Sequence, residues 1–293
     1  MAISRGMSRL LFAENISRPF QGSILQLGRQ AISFGRKDLH KWSGSSGAFP
    51  GTGSDGKASG DVRDDAIDDD DFFRFLGFQE VFSCDASSYE SPTFLLDLNL
   101  NVPEELHGRF DVVLDGGTME HIFNVPAVLA NIHAMLKVGG RAIHITPSSN
   151  MVDHGFYSFS PTLFRDYYSA NGYQLLTVSL FECVSWSGDF AVFDCLSGKI
   201  DNRLGRIANA KMAGVFCVVE KTAGASSHVI PAQSHFSSLW QDSEPNKSGN
   251  APSPMVNAIK SNVPWLAEFL YWTRALAWRT PFVRRAAMPP RKY

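Results

Sequence analysis

The residues best suited to chemistry in this 293-residue chain stand where apolar runs end. Gly28 follows SILQL, Asp85 follows EVFSC, Asp97 follows TFLL, and Asp115-Gly116-Gly117 follows the FDVVL run. An acid just beyond a buried strand offers two acceptor oxygens to a vicinal diol, the way a ribose is held in nucleotide-binding α/β folds. Asp85 also reads as a turn cap over Ser87 and Ser88. A glycine after the first run lets the backbone approach a ligand and opens the way to a helix N-terminus. LQLGRQ holds a single glycine where a dinucleotide fingerprint needs three. Two histidines, His121 and His154, lie in polar stretches beyond Asp115 and beyond RAIHIT, and imidazole exchanges a proton near neutral pH. Their plainer roles are a cap for the following helix (His121) and packing on Tyr157 (His154). His144 lies inside an apolar run and reads as a satisfied core histidine.

The elements that must position these groups centre on residues 110–147. FDVVL suits a strand buried on both faces of a parallel sheet. Asn124 caps a helix with Pro126 in its first turn, and Val125, Val128, Leu129, Ile132, Met135 and Leu136 share one face. Gly139-Gly140 ends that helix and residues 141–146 form the next strand, giving a βαβ unit whose ligand crevice lies beyond the strands' carboxyl ends. Upstream, residues 1–20 predict a helix, 22–28 a first strand, 79–84 a second and 93–96 a third. Downstream, Ser160-Pro161 opens a helix that Gly172 closes, and the runs at 173–181 and 214–220 predict two strands side by side at the end of the sheet.

Residues 42–60 are dense in Gly and Ser and read as a loop. The run from Asp61 to Asp71 holds seven Asp against one Arg; it reads as a solvated acidic loop or a helix cap, and no metal is assigned to it or elsewhere. Residues 223–259 read as a linker. Residues 260–293 carry seven Lys or Arg against one Glu around an apolar, aromatic helix, which suits packing, self-association or contact with an acidic membrane surface.

The overall charge balance, 27 Lys+Arg against 29 Asp+Glu, leaves no nucleic-acid footprint. Four widely spaced cysteines in apolar surroundings favour buried free thiols in a reducing compartment. With no signal-peptide pattern and no apolar run of about 18 residues, the expected address is the cytoplasm.

The succession of a glycine turn after strand one, Asp85 after strand two, Asp97 after strand three and Asp115 after strand four resembles the class I S-adenosylmethionine-dependent methyltransferases, over about residues 22–222. Most specific are the stretch FDVVLDGGTMEHIFNVPAVLANIHAMLKVGGRAIHITP and the following SPTLFRDYYSANGYQLL. The resemblance implies a doubly wound, mostly parallel Rossmann-like sheet with an antiparallel edge strand; the helical extension at residues 1–21 and the basic C-terminal helix lie on either side of it. It implies S-adenosylmethionine laid across the strand ends, with Leu27, Gly28 and Arg29 near the methionine moiety and Asp85 on the ribose. Asp97 and Leu98 would lie beside the adenine, and Asp115, Gly116 and Gly117 under the sulfonium. A methyl already activated on sulfur needs an aligned nucleophile and a proton acceptor, for which His154 and His121 are the candidates. The acceptor would be an oxygen or nitrogen of a small molecule or saccharide. Two other readings stay open. A non-catalytic interaction module is favoured by the single glycine of LQLGRQ. A nicotinamide-dependent oxidoreductase or epimerase is disfavoured by the absence of GxGxxG and of a Tyr-x-x-x-Lys pair.

Overall fold

The computed structural model describes residues 2–39, 66–186, 188–196, 211–234 and 291–292. The Gly/Ser-rich loop at 42–60, most of the linker and the C-terminal helix expected from the sequence lie outside the described residues.

Strands β1 (Ala2–Ile3) and β3 (Ala31–Ile32) pair in parallel as a small separate sheet, with helix α1 (Arg5–Ser17) between them in the chain. The main sheet starts from β2 (Ser23–Leu27), buried along its whole length. On one side β2 pairs in parallel with β4 (Glu80–Asp85), which pairs with the short β5 (Phe94–Leu95). On the other side it pairs with β6 (Phe110–Asp115), and β6 pairs with β7 (Leu136–Ser149), all in parallel. The sheet order therefore reverses direction at β2, and the crevice between β2 and β6 is the topological switch point. Strands β8 (Gln174–Cys183) and β10 (Met212–Glu220) complete the expected fold class: β10 runs antiparallel between β7 and β8. The antiparallel strand is thus enclosed by neighbours. The sheet continues past β8 into β9 (Ala191–Asp194) and the two-residue β11 (Arg291–Lys292).

The helices follow their sequence signals. The Asn124 side chain accepts from the Ala127 amide to start α3 (Val125–Met135), and Ser160 accepts from Thr162 to start α4 (Pro161–Ala170), each with Pro in its first turn. In the acidic run Asp68 caps α2 (Asp69–Phe75) through the Asp71 amide. β7 begins directly after α3, five residues before the expected strand, with a register shift between Phe110 and Val112 of its partner.

Alternation along β6 from Val112 onward, with the irregularity after Phe110, splits the interior into two cores. Phe110 and Val113 pack with Val128, Ile132, Phe164 and Tyr168 under α3 and α4. Val112 and Leu114 pack on the opposite face with Leu10, Leu11, Phe72 and Phe73 of α1 and α2. The segment expected as a terminal extension is therefore integral to the domain, because α1 supplies one of the layers that bury the sheet. Part of the expected linker is also held: Ser226 donates its amide to the Asn171 carbonyl, Val229 to Asn171 Oδ1 and Ser234 to Asp166 Oδ2. No helix among the described residues is long and apolar enough to cross a membrane.

Candidate functional site

The carboxyl ends of β5, β4, β2 and β6 lie in register, with Leu95 beside Asp85, Cys84 beside Leu27 and Leu27 beside Asp115. At the first turn Gly28 takes φ +70°, a region open mainly to glycine, and donates its amide to the Cys84 carbonyl at 2.7 Å. The chain then enters β3 and not a helix, so the helix N-terminus expected after Gly28 is absent there; pairing with β1 draws residues 31–32 into an extended path. Leu27 is a core side chain with 0% exposure. Arg29 binds Asp69 at 2.9 Å and the carbonyls of Glu90 and Ser91 in the loop after β4. That carboxylate raises the guanidinium pKa above its usual value. Gln30 folds back instead: its Nε2 donates to the Leu27 and Gly28 carbonyls, and its buried Oε1 has no partner. The Gln30 amide lies so close to Gly116 that a Cβ there would meet it at 3.2 Å.

Asp85 uses one oxygen to cap the Ser87 amide at 3.0 Å, the local turn anticipated as its plainer role. No described residue bonds its other oxygen. Asp97 is exposed and accepts from the amide and side chain of Asn99, which lower its pKa. Leu98 is buried in the core under α3, its carbonyl bound by Asn131.

Asp115 faces inward with 0% exposure. Its Oδ1 accepts from the amides of Thr118 and Met119 at 3.0 and 3.1 Å, holding the tight turn that carries Gly116 and Gly117. Its Oδ2 lies 2.9 Å from His144 Nδ1, and His144 Nε2 lies 2.7 Å from the Tyr168 hydroxyl. His144 is the satisfied core histidine its position suggested. The Asp115 side chain therefore shapes the crevice from behind, while the backbone of Gly116 and Gly117 faces it.

The two remaining histidines meet over a third group, the buried carboxyl of Glu120. A one-turn helix at residues 119–121 carries Glu120 and His121. Glu120 is 1% exposed; its Oε1 lies 3.5 Å from His154 Nε2 and 3.9 Å from His121 Nε2, and its Oε2 has no partner. Burial, with the charge of Asp115 nearby, pushes the Glu120 carboxyl up to about 8. Burial and the neighbouring His154 lower the pKa of His121. The imidazole rings of His121 and His154 stand 5.1 Å apart, centre to centre.

The loop after β7 brings His154 there by gripping the Glu120 backbone. The Glu120 carbonyl accepts from the amides of Phe156 and Tyr157, and the Tyr157 hydroxyl donates to the Phe123 carbonyl. Gly155 makes the approach possible, since a Cβ at that position would lie 2.8 Å from the Glu120 carbonyl oxygen. Asn150 and Asp153 take positive φ on either side of the bend.

Glu120 and His154 border a cavity of about 370 Å³ at the ends of β6 and β7, within the usual range for small-molecule sites. Gly116, Gly117, Pro147 and Met151 line it, and Ala2, Ser4 and Met7 roof it from the N-terminal segment. Exposed Phe123 and Phe156 meet edge to face beside the histidines. In the sequence Glu120 shows only as the middle of Met-Glu-His; its burial is what sets it apart. The roof carried no sequence signal.

The four cysteines are buried and unbonded, as anticipated, and burial pushes the Cys84 thiol up to about 12, so it is unreactive.

No protein-family model matches the chain, and neither does any curated protein sequence. Among solved structures, the chain is similar to the 1,6-didemethyltoxoflavin-N1-methyltransferase of Burkholderia thailandensis, at 14% identity and a TM-score of 0.38 over 74% of this chain and 77% of that one. It is similar to TehB of Haemophilus influenzae at 17% identity and a TM-score of 0.38, over 73% and 62% of the two chains. Phosphoethanolamine N-methyltransferase 2 of Haemonchus contortus aligns at 13% identity and a TM-score of 0.40, over 75% of this chain and 54% of that one.

Proposed function

We propose that this protein is an S-adenosylmethionine-dependent methyltransferase acting on an oxygen or nitrogen of a small molecule or saccharide. One observation carries the reading: Gly28, Asp85, Asp97 and the Gly116-Gly117 turn stand together at the same ends of four adjacent parallel strands, beside a small-molecule cavity. The donor set of the cofactor suits what this crevice leaves unpaired. Asp85 has a carboxylate oxygen for the ribose hydroxyls, and the orphaned Gln30 Oε1 is an acceptor for an ammonium group beside the Gly28 turn. Asp97, exposed beyond the end of β5, is left as the candidate for the adenine edge, since Leu98 is buried in the core.

A bound sulfonium supplies the activated methyl group. The protein's part is alignment, exclusion of water and acceptance of the nucleophile's proton. His154 borders the cavity and His121 stands beside it, so the acceptor's proton passes to His154 Nε2, with Glu120 Oε1 holding the resulting imidazolium. Asp115 acts as a positioning residue, through the turn it ties.

Calorimetry with S-adenosylmethionine tests the reading. The wild-type protein should bind it, and Asp85→Ala should bind it about 10–100-fold more weakly, the worth of one or two hydrogen bonds to a charged group. Absence of binding at millimolar ligand would instead support an interaction module that keeps the fold. That second reading draws on β3 standing where a helix N-terminus would cradle the cofactor. Given binding, screening extracts for methyl acceptance from labelled cofactor identifies the acceptor.

A further inference from the structure

The geometry points to a divalent transition-metal site formed by Glu120, His121 and His154, with open coordination positions facing the cavity. The ligand atoms of the three side chains all lie within 4.8 Å of one another. The distances of 3.5 and 3.9 Å from the Glu120 carboxylate to the two imidazole nitrogens are too long for good hydrogen bonds. They are close to the edges of a coordination shell, since metal bonds of about 2.0–2.1 Å set tetrahedral neighbours about 3.3 Å apart. Small rotations of two half-exposed histidines close the remainder.

An independent observation marks the site as built for a cation. Glu120 is 1% exposed and its second oxygen, Oε2, is buried without a partner, a costly state for a carboxylate that a metal ion would relieve. The carboxylate is held in place, because the Glu120 carbonyl is fixed by the Phe156 and Tyr157 amides. The same two bonds hold the His154 loop in register with the turn bearing His121.

Two imidazoles and one carboxylate select zinc, iron(II), cobalt or nickel over magnesium or calcium, which prefer all-oxygen shells. Three protein ligands leave at least one position for water or a ligand heteroatom, the arrangement of catalytic and not structural sites. Glu120 and His154 both border the cavity, so that position faces the ligand space. The site stands on its own geometry, whether or not the chain transfers methyl groups. If it does, the ion would hold the acceptor's oxygen or nitrogen and lower its proton affinity, and His154 would take the proton only in the ion-free chain.

Titration of the untagged, chelator-stripped full chain with Co²⁺ and Zn²⁺, without S-adenosylmethionine, tests it. One ion should bind per chain, with the visible d–d bands of a four- or five-coordinate Co²⁺ site and no thiolate charge-transfer band, while Mg²⁺ gives no heat. Glu120→Gln, His121→Ala and His154→Ala should each weaken binding tenfold or more, and the two histidine variants, made at half-exposed side chains, should keep the wild-type circular dichroism. No stoichiometric binding at 100-micromolar metal would overturn the proposal, as would binding that survives in the His121→Ala/His154→Ala double variant. Since no cofactor is present, failure here and failure of S-adenosylmethionine binding are separate results.

Discussion

Both carboxylate oxygens of Asp115 are engaged inside the protein, one on the Thr118 and Met119 amides and one on His144. Asp115→Ala leaves two amides and a buried imidazole without their acceptor, so urea unfolding should show a loss of about 3 kcal/mol or more. Asp115→Asn keeps an acceptor for the turn and should lose clearly less; equal losses would mean the turn bonds contribute little. Gly155 offers a different test, because its role is steric. The Cβ of Gly155→Ala would press on the Glu120 carbonyl and lift His154, so turnover should fall at least tenfold while the urea midpoint moves little, residues 150–156 lying outside both cores. His154→Ala should keep cofactor affinity and lose turnover; unchanged turnover would remove His154 from proton transfer. At this scale the sequence shows residue types at strand ends but not which way their side chains face. Asp115 was visible as an acid at a strand end, but whether such an acid faces ligand or core depends on His144 and Tyr168, which arrive from other elements. Glu120 was invisible for the same reason, since burial is decided by a loop more than 30 residues further on.

At the scale of elements, the junction of α3, β7 and β10 is closed by Lys221, whose Nζ donates to the His133 and Leu136 carbonyls at 2.7 and 2.8 Å. This cation sits at the carbonyl end of the helix, where the Gly108 and Arg109 amides bind the Ala134 and Met135 carbonyls. Lys221→Met should lower stability by about 1–3 kcal/mol in urea melts. His133 on the same turn lies 2.7 Å from the Tyr173 hydroxyl, and burial, then the charges of Lys221 and His228, lower its pKa to about 4. Its folded value lies below the unfolded one near 6.5, so the unfolded chain takes up the proton first. The stability His133 contributes is therefore present above pH 6.5 and lost as pH falls towards 4. His133→Asn should show a shallower fall of urea midpoint across that window than the wild type, and parallel curves would show that His133 does not set it. Helices α3 and α4 were legible because caps and first-turn prolines are local chemistry. The early start of β7 was not, because its first residues are drafted by pairing with Phe110, a contact no local pattern announces.

At the scale of the whole molecule, the succession and the direction of the parallel strands could be read from apolar runs and the acids after them, since each βα unit states its own direction. What closes the molecule over its crevice could not, because α1 reaches its place by docking across the sheet. Arg141 of β7 anchors it: the guanidinium binds Glu14, donates to the Arg18 and Pro19 carbonyls and lies 4.7 Å over the Phe20 ring. Glu14 is 3% exposed and also binds Arg18, so its removal leaves a buried guanidinium uncompensated. Glu14→Ala should therefore destabilise the domain by about 3–5 kcal/mol, and a paired Glu14→Leu/Arg141→Leu variant should recover most of that loss, because an ion pair replaced whole by apolar groups costs little. The same variants report on the cavity. Ser4 and Met7 at the start of α1 form its roof, so a loosened α1 should weaken S-adenosylmethionine binding in Glu14→Ala and restore it in the leucine pair. If affinity instead stays at the wild-type value while stability drops, the roof does not depend on how α1 is docked, and the N-terminal segment shapes the core without shaping the site.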